Sequence, residues 1–168
     1  MAFINGILKK FFGTKSEKDM KLIQPYVDKT KEAFERIDSL THDELRAETQ
    51  KIKKIITDYV AEDEAKKKSL RKKLEDLTID ISEKESLATE VDKLTKKIDE
   101  KLEEVLLQVL PDAFAIMKST ARRFKENNEI VVTATQSDKD LSAEHDFVRI
   151  EEDKAIWKNT WMAGGNRI

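Results

Sequence analysis

SEKESLATEVDKLTKKIDEKLEEVLLQV, residues 82–109, decides the fold of this chain. Its apolar side chains, Leu87, Val91, Leu94, Ile98, Leu102, Val105 and Val109, follow one another at steps of three and four residues. That spacing lays a single apolar stripe along an α-helix and leaves the charged residues on the other faces. A second stripe lies upstream at Leu45, Thr49, Ile52, Ile56, Tyr59, Leu70, Leu74 and Leu77. Asp63 and Lys66 stand at the seam positions between Tyr59 and Leu70, so this stripe is weakest in its middle. Thr41 with Glu44 makes a capping box that opens the upstream helix, and Ser82 with Glu85 offers a restart after Thr78-Ile79-Asp80-Ile81. Two heptad-like helices joined by a short polar turn predict an antiparallel coiled-coil hairpin over residues 41–109.

Outward from the hairpin, residues 1–40 read as two helices. Phe3, Ile4, Ile7, Leu8 and Phe11 share one face of a short amphipathic helix, with Lys9 and Lys10 off that face and Gly13 as its stop. Ser16 with Asp19 predicts the start of a second helix running to about Asp38, with Pro25 inside it as a kink. On the other side, residues 110–168 open at Pro111, a residue suited to the first turn of a new helix. Phe114, Met117, Ala121 and Phe124 then line one face of it. Ile130–Thr135 is β-branched and predicts a strand, with Phe147–Ile150 as its partner across a polar connection. Trp157 and Trp161, four residues apart, predict a short helix ending in a turn at Gly164-Gly165. The expected fold class is therefore mainly α: elongated helices, an antiparallel coiled-coil hairpin and a small β element near the C-terminus.

Composition agrees with long solvated helices. Of 168 residues, 39% are charged and 39% hydrophobic, with only four glycines and two prolines. Charge at that level is well above the roughly 25% usual for globular domains. The absence of cysteine excludes disulfides and thiolate metal sites. The net charge of -2 argues against a general nucleic-acid binder. Lys66-Lys67-Lys68 and Arg71-Lys72-Lys73 are flanked by acidic residues at 62, 63, 64, 75 and 76, which makes them a mixed-charge helical surface, with Glu62–Lys66 and Glu64–Lys68 expected as i, i+4 pairs. No apolar run approaches the roughly 20 residues that a membrane-spanning helix requires.

Catalytic patterns are few. Gripping a triphosphate needs closely spaced glycines followed by Lys and a hydroxyl, because only glycines let backbone amides approach the anion. Glycines at 6, 13, 164 and 165 allow no such loop, and Asp63-Glu64-Ala65-Lys66 reads as an exposed helical patch rather than an acidic nucleotide motif. His42 and His145 are distant and lack a partner at ligand spacing, so no metal site is expected. Nothing resembles a nucleophile elbow. No catalytic, cofactor-binding or metal residue is assigned. The best functional candidate is the first helix. A cationic amphipathic helix can lie in a membrane interface with its apolar face down, although composition alone favours its packing on protein.

Three blocks carry a family resemblance. Phe12-Gly13-Thr14-Lys15-Ser16-Glu17-Lys18-Asp19, Leu40-Thr41-His42-Asp43-Glu44-Leu45-Arg46-Ala47-Glu48-Thr49 and Leu110-Pro111-Asp112-Ala113-Phe114-Ala115-Ile116-Met117-Lys118-Ser119-Thr120-Ala121-Arg122-Arg123 occur in that order. The trio resembles the opening of SecA, the preprotein translocase motor ATPase, whose members read close to L-F-G-S-K-N-E-R-D, L-S-D-E-E-L-R-A-K-T and L-P-E-A-F-A-V-V-R-E-A-A-K-R. Trp161-Met162-Ala163-Gly164-Gly165-Asn166 is similar to a segment that some members carry just before the ATP-binding core. The resemblance implies an N-terminal fragment that ends before that core. It implies no cofactor in this chain, with ATP and magnesium used by the intact protein. It further implies a cytoplasmic protein, peripheral on the inner face of the bacterial plasma membrane, whose partners are the Sec translocon, preproteins, acidic phospholipid and a second protomer, and no nucleic acid.

By the same resemblance, Phe3, Ile4, Ile7, Leu8, Lys9, Lys10, Phe11 and Phe12 are expected to contact membrane or translocon. Phe114, Met117 and Phe124 are expected to pack on the missing core or to drive self-association. The stretch from Gln50 to Val109 is longer than in most relatives, and so the hairpin resembles a lineage insertion. A free-standing coiled-coil adaptor is the alternative from a different class. A helicase-accessory nucleic-acid module, the third, predicts steeply salt-dependent binding.

Overall fold

The computed structural model of the protein describes residues 15–168, and the amphipathic segment at residues 3–12 lies outside that range. Four helices and five strands are found among the described residues. They are α1 (Lys15–Asp38), α2 (His42–Leu74), α3 (Ile81–Glu126), β1 (Glu129–Thr133), α4 (Gln136–Glu144), β2 (Val148–Glu151), β3 (Lys154–Lys158), β4 (Met162–Ala163) and β5 (Asn166–Arg167).

The antiparallel helical hairpin is present as α2 and α3. Thr41 accepts the amide of Glu44 while the Glu44 carboxylate accepts the amide of Thr41, closing the capping box read from the sequence. The apolar stripe buries Leu45, Val60 and Leu70 from α2 against Val91, Leu94, Ile98, Val105 and Val109 from α3. At about 1.5 Å per residue, the 33 residues of α2 make the hairpin about 50 Å long. Its turn leaves Leu77 91% exposed, so the stripe ends before that residue.

Two helix starts differ from expectation. Ser16 lies within the first turn of α1 instead of capping it, and Asp80, not Ser82, caps α3 by accepting the amide of Ile81. Pro111 does not begin a new helix: α3 runs through it for 46 residues. Proline removes one backbone hydrogen bond, but Val105 and Val109 before it and Ala115 and Ile116 after it are all buried. The stripe continues across the proline, so packing holds the helix together there.

The sheet also departs from the sequence reading. β1 and β2 do not pair with each other. Both pair antiparallel with β3, in the order β1-β3-β2, with Val131 opposite Ile156 and Arg149 opposite Ile156 from the other side. A two-residue turn at Glu152-Asp153, with Glu152 at φ 54°, folds β3 back against β2. The connection from Gln136 onward is α4, opened by a Thr135–Asp138 capping box. Trp157 therefore sits in a central strand, and Trp161 precedes a β4–β5 hairpin that turns at Gly164 and Gly165, both with positive φ. Neither belongs to a helix.

Two apolar clusters result. Ile37, Leu45, Ala115 and Ile116 join α1, α2 and α3 at the root of the hairpin, with Ala33, Phe34 and Ile52 packed around them. Ile130, Val132, Val148 and Ala155 form the core of the sheet, covered by Phe124, Leu141, Phe147 and Trp157.

Candidate docking site at the root of the hairpin

The described polar side chains converge where the sheet meets the root, and they tie three segments together. Asp43, in the first turn of α2, accepts the Thr133 amide at 2.9 Å and the Thr133 hydroxyl at 2.8 Å. These bonds, led by the amide, hold its carboxyl below the usual carboxylate range. One turn on, Arg46 grips both oxygens of Asp138 at 2.9 and 3.0 Å and donates to the Thr133 carbonyl at 3.2 Å. Asp138 is only 1% exposed. It also accepts the Thr135 amide at 2.8 Å, the Thr135 hydroxyl at 2.7 Å and the Trp157 indole N–H at 3.2 Å. Burial works to raise its pKa, but the Thr135 bonds and Arg46 outweigh it and the carboxyl is held low.

A second node lies on α3. Arg123 is 7% exposed, and its guanidinium caps the end of α1 by donating to the carbonyls of Leu40 at 2.6 Å and Asp38 at 3.4 Å. Cations suit a helix C-terminus because the last carbonyls lack partners. Its Nε donates to Ser119 at 3.2 Å, and Ser119 in turn donates to Asp38 at 3.1 Å. Arg123 Nη1 meets His42 Nδ1 at 3.0 Å. A guanidinium can only donate, so His42 accepts at Nδ1 and carries its proton on Nε2.

Between these nodes is a cavity of about 330 Å³. Leu45, Ile116, Phe124, Ile130, Val132 and Trp157 make its apolar walls, while His42, Arg46, Thr49, Thr120 and Arg123 supply polar atoms. That is the small end of the size range of ligand pockets.

The residues expected to act are dispersed. Phe114 and Met117 are exposed on α3, at 57% and 67%, and form an apolar stripe without cover among the described residues. Phe124 is not part of it: it is half-buried against the sheet core and lines the cavity. The face of α3 that packs inward is Ala115, Ile116, Ser119 and Arg123, one step round the helix from Phe114 and Met117. On the hairpin, Lys66 pairs across to Glu90 at 2.8 Å and Lys67 pairs with Glu64, in place of the two i, i+4 pairs expected on α2. His145 ends α4 and stacks on Phe147, with ring centroids 4.8 Å apart.

Among the described residues, no group of His, Asp and Glu is arranged to hold a metal ion, and no helix is long and apolar enough to cross a membrane. Gly164 and Gly165 reverse a β-hairpin, a geometry unlike the strand-to-helix loop whose amides grip phosphate.

Sequence reasoning missed Arg123 and Asp138. Arg123 had a signal: it follows Ile116 and Ser119 at steps of three and four, a charge on the inward stripe of α3. Asp138 had a weaker one, the Thr135-x-x-Asp138 box, which marks a cap but not its ties to Arg46 and Trp157. Asp63 was visible as a seam position. It is 5% exposed and lies 2.7 Å from Lys97 and 2.6 Å from Lys101 of the facing helix. Those bonds, Lys101 first, hold its carboxyl below the usual range.

The fold is that of a mainly helical chain, a helical hairpin joined at its root to a small antiparallel sheet. Along nearly its whole length that chain is similar to protein translocase subunit SecA. The protein of that name from Parabacteroides distasonis is 56% identical over 164 residues, covering 98% of this chain and 14% of the relative. The one from Bacteroides fragilis is 48% identical over 162 residues, 96% of this chain and 14% of the relative. The one from Flavobacterium psychrophilum is 44% identical over all 168 residues, 15% of the relative. The chain thus spans about one seventh of the length of these curated relatives, and the resemblance carried by the three sequence blocks extends through the hairpin and the sheet. No protein-family profile matches the chain. No solved structure matches it.

Proposed function

We propose that this chain is an N-terminal portion of a SecA-type export motor and that its contribution is attachment and assembly. Identity of 42–56% to SecA subunits across nearly all of the chain carries the reading. In this reading the intact protein couples ATP hydrolysis, with magnesium, to the movement of preproteins through the Sec translocon. It works on the cytoplasmic side, peripheral to the bacterial plasma membrane. The portion described by these 168 residues holds no nucleotide and leaves hydrolysis to the rest of the protein.

Attachment is assigned to Phe3, Ile4, Ile7, Leu8, Lys9, Lys10, Phe11 and Phe12. Their apolar residues enter the acyl boundary or a translocon surface, and their lysines face acidic phospholipid heads. Phe114 and Met117 supply the second contact, against the remainder of the motor or a second protomer, because exposed apolar stripes of this kind mark interaction sites.

Deletion of residues 2–12 tests the attachment. Co-sedimentation with vesicles rich in phosphatidylglycerol should fall to the level seen with neutral vesicles, and unchanged sedimentation contradicts it. Titration with ATP and magnesium should give no binding heat; turnover of ATP by the chain would overturn the division of labour.

A further inference from the structure

The cavity between root and sheet carries an inference independent of the translocase reading. Buried charges in proteins are compensated by an opposite charge or a metal. Arg123 is an exception among the described residues. It is more than nine-tenths buried, yet its partners are two carbonyls, a hydroxyl and an imidazole nitrogen, and no carboxylate pairs with it. The Asp38 carboxylate reaches it only through Ser119 and is itself paired with Arg122. Arg46, the other guanidinium at the cavity, is taken by Asp138. The lining contains His42 and two arginines and no acidic side chain, while its walls are apolar. The α1 carbonyls offset part of the Arg123 charge, and the remainder faces a space large enough for a small molecule.

We propose that this cavity is a binding site for a small amphipathic anion, an aliphatic or aromatic body carrying one carboxylate. The body lies against Leu45, Ile116, Phe124 and Val132, and the carboxylate takes the place of the missing counter-ion of Arg123. Size and charge both favour that class. A volume of about 330 Å³ is too small for a folded peptide and admits a medium-chain acid. A neutral molecule would leave the guanidinium uncompensated, and a cation would add to it.

Trp157 lines the cavity and reports occupancy. Its fluorescence is read with Trp161→Phe as background, so that a single indole remains. Octanoate, 1-octanol and octylammonium are titrated into the 168-residue chain. Octanoate should give a saturable change and bind about tenfold or more tighter than 1-octanol, the scale of one charge-assisted hydrogen bond, and octylammonium should not bind. Thr120→Leu fills the cavity with a side chain from α3 and should abolish the octanoate signal while the circular dichroism of the chain is unchanged. Arg123→Gln, where it folds, should lower octanoate to the affinity of 1-octanol. Equal affinity for octanoate and 1-octanol, or an octanoate signal that survives Thr120→Leu, overturns the proposal.

Discussion

The distal arm of the hairpin and its root are made from the same two helices but held together by different means. In the arm, α2 and α3 meet along one apolar stripe, and the charge in its middle, Asp63, is met by Lys97 and Lys101 of the facing helix. At the root, α1, α2, α3 and the sheet meet, and the ties are long-range polar ones: Asp43 to Thr133, Arg46 to Asp138, and Arg123 to the end of α1. An arm with one seam protrudes and can be reached from every side. A root with several partners fixes its direction. That division puts rigidity where the segments cross and reach at the tip of the arm.

The largest expected effect lies at the root. Arg123→Met keeps the stem and removes the charge, leaving the Leu40 and Asp38 carbonyls and Ser119 without their donor. Buried acceptors left without their charged donor cost about 3 kcal/mol in all, read as the midpoint of urea unfolding. A cost below about 1 kcal/mol would place the arm and root on an equal footing.

Asp138→Asn comes next, at about 2 kcal/mol, because a neutral amide cannot serve Arg46 as the carboxylate does. The same site gives a pH dependence. Its carboxyl is held low in the fold, so the unfolded chain binds the proton more readily. The stability it supplies is complete above the ordinary carboxylate range, roughly pH 4 to 5, and is lost as pH falls through the lower folded value. Thermal melts from neutral to acid pH should show this loss in the unaltered chain and a flatter profile in Asp138→Asn.

Thr41→Ala removes one side of the capping box at the turn into α2 and should cost about 1 kcal/mol, measured by the same unfolding curves. The smallest change has the opposite sign. Asp63→Leu completes the apolar seam and should raise the thermal midpoint slightly, since Lys97 and Lys101 are 54% and 32% exposed and can turn their ammonium groups to water. It should also weaken register, read as cysteine cross-links forming between non-facing positions of α2 and α3.

These effects follow how legible each region was in the sequence. The arm was readable because its contacts repeat at helical spacing: Val91, Leu94, Ile98 and Val105 lie in one stripe, and Thr41 with Glu44 marks its start. The root was not, because its ties join residues about 80 to 90 positions apart, such as Arg46 with Asp138 or Arg123 with Leu40. Periodicity says which face of a helix is buried only while one partner dominates. Around Ala115 and Ile116, α3 packs on α1 and α2 together, and its inward stripe takes in the polar Ser119 and Arg123. The β-branched residues marked β1 and β2 correctly as strands, but β3 contains Lys154 and Lys158 at its ends and a tryptophan, and it was read as helix. The shape of the cavity depends on all of these long-range ties together, so no local pattern announced it.

Site-resolved hydrogen exchange on the folded chain, compared with Asp138→Asn, tests the separation of arm and root most directly. The account predicts that protection falls together in β1, β3 and α4, while amides of Val60–Leu70 and Val91–Ile98 keep their original rates. An equal loss of protection in the arm would show that the two regions open as one unit and would contradict it.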